Sequence, residues 1–296
     1  MEHVPVLLNE VIKILDLHPG EFFIDGTLGG GGHAAEIFRK ISPKGTLLGI
    51  DWDKTTIEKA QKNISAISKS ESLISKLVLI SDNYKNIPMI LKEKKLGKAD
   101  GVLLDLGFSS EQLTDSGRGF SFLRDEPLFM TYSKETKPAY RVLSEESESN
   151  LKQIIREFGE ERFASRIARA IKKNLPILNS GKLAAVVAGA VPGNYERGRI
   201  HPATRTFQAI RIFVNRELEN LKIFLGEVPS ILNPGARLAV ISFHSLEDRI
   251  VKNRFRELKT EGLAELLTKK PMIAEAGEIR GNPRSRSAKL RAIKIL

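Results

Sequence analysis

The chain has 296 residues, 41% of them hydrophobic, with a formal net charge of +11 and no cysteine. That length suits one large α/β domain or a domain with a smaller companion, and the absent cysteines exclude disulfides, thiolate metal sites and thiol catalysis, as befits a cytoplasmic protein. The basic excess favours a polyanionic partner such as nucleic acid. No apolar run approaches 18 residues, so no membrane span is expected. The early Glu2, where a leader would be basic, argues against secretion.

In chain order, residues 4–17 carry apolar groups at helical spacing and stop before Pro19-Gly20. Glu21–Asp25 reads as a short buried strand, followed by four glycines (Gly29–Gly32) and a helix over 33–40. "TLLGID" is a second strand ending on Asp51, and 54–67 a helix; "KLVLISD" is a third strand and "DGVLLDLG" a fourth, carrying Asp105. Strands alternating with helices predict a parallel, doubly wound sheet. The rhythm breaks after residue 112, where polar, irregular sequence leads into helices at 147–158, 160–173 and 181–191. We therefore divide the chain into a first sheet segment (1–112), an inserted helical domain (113–200) and a second sheet segment (201–296). The last contains one helix over 206–225, the strand "GARLAVISF", a helix over 246–267 and the closing strand "KLRAIKIL".

The glycines carry the first chemical signal. Gly29-x-Gly31-x-x-Ala34, between a strand and a helix, matches a nucleotide-binding turn in which bare backbone approaches the ligand. Asp51, at the tip of the next strand, is placed to accept both hydroxyls of an adenosine ribose. NAD and S-adenosylmethionine both fit such a turn, and Asp25, four residues before Gly29, separates them. A carboxylate there neutralises the ammonium group of S-adenosylmethionine but repels a pyrophosphate. Gly32 and His33 belong to the same turn, and Tyr84, after the third strand, is placed to stack on adenine. "SFHSLEDR" holds His, Ser and Asp too close together for a catalytic triad, and His244 reads as structural or substrate-side. Five scattered histidines give no metal signal.

Three stretches are basic. Arg162, Arg166, Arg169 and Lys173 form one helical stripe. Residues 195–216 hold five arginines, Arg205 and Arg211 among them, against Glu196 alone. The terminal segment from Arg280 carries Arg284, Arg286, Lys289 and Arg291 and no acid. These last two stretches are the candidate RNA contacts, with Phe108, Phe120 or Phe122 available for base stacking.

Long segments extend these signals: "HVPVLLNEV", "DGTLGGGGH", "GIDWD", "DGVLLDLGFSSEQL", "RGFSF", "GEERFASRIARAI", "HPATRTFQAIRIFVNRELENL", "GARLAVISFHSLEDRIVK" and "NPRSRSAKLR". Running in order from His3 to Arg291, they resemble the bacterial 16S rRNA (cytosine-N4)-methyltransferase family. The resemblance implies a Rossmann-like S-adenosylmethionine-dependent methyltransferase fold with an inserted all-helical domain. It also implies methyl transfer to N4 of a decoding-region cytidine in 16S rRNA, with the 30S subunit as partner, as monomer or homodimer. It puts cofactor contacts on Gly31, Gly32, His33, Asp51, Tyr84, Asp105 and Gln112. Where the family reads P-L-D-M-R-M and then Asp, this chain has Phe129, Thr131, Tyr132 and Ser133, losing an acid and a base together. Two alternatives follow: an RNA-binding assembly factor of the same fold with impaired chemistry, and an NAD-linked oxidoreductase.

For the expected chemistry the protein's task is positioning. The cytosine amine is a poor nucleophile and becomes cationic during transfer, so acceptors must hold its N–H groups. The base must also leave its stack to reach the pocket. Asp105, Ser109 and Ser110 are the expected catalytic residues.

Overall fold

The computed structural model describes residues 5–71, 74–107, 117–133, 135–193, 195 and 200–296. They fall into two compact units, Met1–Phe108 with Leu218–Leu296, and Ser109–Glu217. Among the described residues, no helix is long and apolar enough to cross a membrane.

The first unit is built on seven strands: β1 (Phe22–Asp25), β2 (Thr46–Asp51), β3 (Lys76–Ser81), β4 (Ala99–Asp105), β5 (Leu232–Ser242), β6 (Ala264–Leu266) and β7 (Lys289–Ile295). They lie in the order β3-β2-β1-β4-β5-β7-β6. β1 to β5 run parallel, while β7 is antiparallel to both β5 and β6. Successive side chains point to opposite faces, so each strand feeds two cores. Ile24, Leu48, Val102 and Leu104 pack with α4 (Ile87–Glu93), α10 (Glu217–Ile231) and α11 (Ser245–Thr260). Phe23, Leu47 and Leu103 pack on the other face with α1 (Leu8–Leu15), α2 (Gly32–Ile41) and α3 (Lys54–Ser70). A short helix α12 (Ala276–Gly281) precedes β7. Both faces are thus covered, as the alternating pattern predicts for a parallel sheet.

The second unit carries α5 (Ala139–Glu145), α6 (Glu148–Gly159), α7 (Ala164–Lys173), α8 (Ser180–Ala190) and α9 (Thr204–Asn215). Ser147 and Asn179 cap α6 and α8 by accepting from Asn150 N (3.1 Å) and Lys182 N (3.1 Å). Gly159 ends α6 where a Cβ would lie 2.6 Å from the Arg205 carbonyl, so α6 and α9 approach closely only because that side chain is missing. This unit is longer than residues 113–200, because it takes in α9.

Two helices differ from expectation. The span 206–225 is broken at Arg216, whose left-handed backbone (φ 53°) ends α9, and α10 begins at Glu217. The apolar spacing continues across that break, which periodicity does not register. The helix expected over 246–267 stops at Thr260, after which Gly262 (φ 72°) turns the chain into β6.

The terminal basic segment also needs correcting. Arg291, expected at a phosphate, lies on β7 with its side chain 9% exposed, its Nε 2.6 Å from Asp248 Oδ1. Lys289 Nζ is 3.5 Å from the same carboxylate. Burial alone raises the Asp248 carboxyl, but the Arg291 hydrogen bond, with the charges of Arg291 and Lys289, turns it below the usual range. Arg291 therefore ties β7 to the first turn of α11. Arg291→Ala is expected to cost about 1–3 kcal/mol of stability by urea unfolding, because it removes the two hydrogen bonds of a half-buried carboxylate and leaves it Lys289 alone. It should leave the salt dependence of nucleic-acid binding unchanged.

Candidate active site

β2, β1 and β4 are neighbours, and each ends on a carboxylate at the same edge of the sheet: Asp51, Asp25 and Asp105. Asp25 is 1% exposed and accepts from Thr27 N at 3.1 Å. Burial is the main force raising its pKa, to about 7; the Thr27 bond opposes it, and the charges of Asp105 and Asp51 add to it. Asp51 is raised to about 6, again chiefly by burial, although it accepts from Gly29 N (2.9 Å) and Asp53 N (2.9 Å). The backbone N–H of Asp105 bonds the Thr27 hydroxyl, which fixes the β4 tip beside β1. Three acids thus crowd one edge, where a cationic group would relieve the cost of ionising them.

The glycine run divides in two. Gly31 takes a left-handed conformation (φ 81°) at the start of α2, and a Cβ there would lie 3.1 Å from Ala60 Cβ. A Cβ on Gly32 would lie 2.5 Å from Pro5 Cγ. Protein atoms, rather than a ligand, exclude side chains at these two positions. Gly29 also needs glycine, with φ 51°. At Gly30 a Cβ would meet nothing within 4 Å among the described residues. That backbone is open, as a ligand's approach would require.

His33 is buried in the first turn of α2, with Nε2 3.0 Å from the Val6 carbonyl and Nδ1 3.6 Å from Asp105 Oδ2. A carbonyl only accepts, so Nε2 carries a hydrogen and the ring is pinned between the N-terminal segment and the β4 tip. This contact joins two candidate residues 72 positions apart, and spacing along the chain gives no hint of it. Tyr84 sits in a one-turn 3-10 helix, its ring edge-on to Phe224 with centroids 5.8 Å apart. Beside it, Asn83 is 3% exposed and caps that turn through Oδ1, while its Nδ2 is buried without a hydrogen-bond partner. The sequence places Asp82-Asn83-Tyr84 after the third strand as a flank for adenine, and burial singles out Asn83 within it. Ser109, Ser110, Gln112 and Phe108 lie outside the described residues. His244 is structural: it caps α11 in a reciprocal arrangement with Glu247.

The candidate RNA contacts separate by their partners. Arg211 is 15% exposed and grips Glu217 through Nε (2.9 Å), which takes its guanidinium away from a phosphate role. Arg205 donates to the Glu160 carbonyl at 3.0 Å while keeping exposed surface. Arg286 is exposed. Among the described residues the buried Nη1 of Arg284 has no hydrogen-bond partner, and its pKa is lowered by burial alone. A buried guanidinium nitrogen in that state is one an anion would satisfy.

A family model, the MraW methylase family, matches residues 1–296. The chain belongs to that family. It is 44% identical over 308 residues to the ribosomal RNA small subunit methyltransferase H of Syntrophus aciditrophicus (strain SB), covering 98% of this chain and 96% of that one. It is 46% identical over 293 residues to the protein of the same name from Koribacter versatilis (strain Ellin345), covering 98% and 93%. As a member of this methylase family the chain is an S-adenosylmethionine-dependent methyltransferase. The site suits that donor. Buried acids whose charged neighbours are acids call for a cation, and S-adenosylmethionine brings a sulfonium and an ammonium, whereas the pyrophosphate of NAD would add anions.

Two predictions follow from this geometry. Because Asp25 and Asp51 hold protons up to about pH 7 and 6, and a cation binds their ionised forms, donor affinity should rise about tenfold between pH 6 and pH 8. The apo protein should lose stability over the range from about pH 4 to 7, because raised carboxyl pKa values mean the folded state binds more protons than the unfolded one. Titration calorimetry of Asp25→Asn should show a weaker and flatter profile; an unchanged one would remove Asp25 from the site. Second, Gly30→Ala should leave the urea midpoint unchanged yet weaken the donor about tenfold, whereas Gly31→Ala should lower the midpoint, at a cost of about 1–3 kcal/mol of unfolding free energy.

Proposed function

We propose that the chain transfers a methyl group to N4 of a decoding-region cytidine in 16S rRNA, acting on the assembled small subunit. The reading rests on the trio of carboxylates at the β2, β1 and β4 tips, set against the open backbone at Gly30. The names of its relatives supply the substrate class, and the family resemblance supplies the atom and the base.

Bound S-adenosylmethionine supplies a methyl group activated by its sulfonium. The chain's residues do the rest. Asp25 takes the donor's ammonium end and Asp51 its ribose hydroxyls. The unpartnered Nδ2 of Asn83 offers a donor to adenine beside Tyr84. Asp105, held by Thr27 and facing His33, accepts from the cytosine amine and stabilises the positive charge that grows on it. The methylated amine then sheds one proton through that carboxylate to water. Ser109, Ser110 and Gln112 follow directly in sequence and are proposed to complete the pocket. The helical unit, with Arg205, and the terminal Arg284 and Arg286 are proposed to hold RNA.

Incubating 30S subunits with the protein and isotopically labelled donor, then analysing rRNA nucleosides by mass spectrometry, is expected to yield N4-methylated cytidine at one site. Asp105→Asn should lower the rate at least about tenfold. Product on another base overturns the reading. Binding of donor and subunit without any product favours the assembly-factor alternative.

A further inference from the structure

The helical unit presents an aromatic and apolar surface that no step above uses. The His201 ring lies over Phe122, centroids 4.3 Å apart and planes 24° from parallel. Phe122 rests edge-on against Phe207 at 5.2 Å, and Phe207 is 4% exposed, so the stack is rooted in the unit's core. Nδ1 of His201 accepts from Ala203 N at 3.2 Å, which sets the ring's orientation at the head of α9. His201 itself is exposed. Next to Phe122, Leu123 is 80% exposed; next to His201, Ile200 is 38% exposed. Each member of the Phe122–His201 stack is thus followed or preceded in the chain by an exposed aliphatic residue.

Leu123 and Ile200 leave apolar surface in water, which marks the segments next to Phe122 and His201 as ones that a partner could cover. The setting is basic: residues 195–216 hold five arginines against one glutamate. An exposed π-face in a stretch whose sequence is rich in arginine matches one chemistry, an unpaired nucleobase on a phosphate backbone. An acidic or purely apolar protein surface would use the charge or the greasy rim but not the exposed ring.

We infer that this surface is a stacking platform for an unpaired base of the RNA substrate, with His201 as the stacking face, Phe122 as its support and Leu123 as a wedge beside it. The inference rests on the RNA-methyltransferase reading above and adds the element that recognises single-stranded RNA. His201, Phe122 and Leu123 act here as positioning residues; none touches the reacting atoms.

The test uses the full-length protein with saturating donor, and measures both 30S binding and steady-state methylation for wild type, His201→Ala, His201→Phe and Leu123→Ser. Stacking on one aromatic face is worth about tenfold in affinity. His201→Ala and Leu123→Ser should therefore weaken 30S binding and raise KM about tenfold, with kcat and donor affinity at the wild-type level. His201→Phe should restore most of the wild-type KM, because it keeps a ring on Phe122 while giving up the Ala203 N bond. The proposal is overturned if His201→Ala retains wild-type binding, or if His201→Phe is as weak as His201→Ala. It is also overturned if the variants change only the sedimentation coefficient, which would make the surface a contact between copies of the chain. Urea midpoints guard against misfolding, and Leu123→Ser, at an exposed position, carries the test if His201→Ala fails to fold. Absence of product from wild type would sink the RNA-methyltransferase reading instead, and the binding comparison would still judge the platform.

Discussion

The cost of placing three carboxylates at one sheet edge organises the rest of this molecule. Asp25 pays that cost most heavily: it is almost fully buried, and the charges that act on it besides its Thr27 bond are those of Asp105 and Asp51. A fold seeking stability alone would put an apolar residue there. The acids are adjacent because β1 lies between β2 and β4, at the point where the strand order reverses, so that three consecutive tips open into one crevice. The topology creates the site before any side chain is chosen. The side chains then decide its sign, and acids select a sulfonium donor over a dinucleotide.

The glycine run shows how much of a binding signal is architectural. Four glycines in a row suggest a ligand lying over bare backbone, yet two of them are excluded from having side chains by Ala60 and Pro5. α2 must start close to the N-terminal segment and to α3, and that same closeness brings His33 against Asp105. Packing and function share the loop: Gly31 and Gly32 bring the helix in, and Gly30 leaves the opening.

The sheet was legible in the sequence because both its faces are covered, so its strands read as short apolar runs between helical segments. Their carboxylate tips were legible for the same reason, since each acid ends such a run. What the pattern did not carry was partnership. Arg211 and Arg291 look like Arg284 in a list of cations, but Glu217 and Asp248 claim the first two while Arg284 keeps a buried, unpartnered nitrogen. The break at Arg216 was hidden because apolar residues recur on both sides of it in step. The burial of Asn83 and the contact of His201 with Phe122 were invisible for a related reason: burial and ring contact come from residues far apart in the chain.

The segment in which this chain departs from its family shows where such reasoning must be joined to geometry. Replacing an acid and a base by Phe129 and Thr131 removes a possible ion pair, which suggests a loosened loop. Within the helical unit the loop is instead held by other groups. Asn215 Nδ2 donates to the Met130 carbonyl at 2.8 Å, and its Oδ1 accepts from Tyr132 N at 3.1 Å. Tyr132 stacks on Phe120 with centroids 5.2 Å apart, and Phe129 meets Tyr140 edge-on at 6.2 Å. One buried amide gripping two backbone groups, flanked by two ring contacts, fixes a loop at least as firmly as a surface ion pair, whose net worth in water is small. Asn215 is itself set by the end of α9, where Arg216 breaks the helix. The segment is therefore fastened by backbone bonds to Asn215 and by ring packing of Tyr132 and Phe129, without any charge of its own at positions 129 and 131.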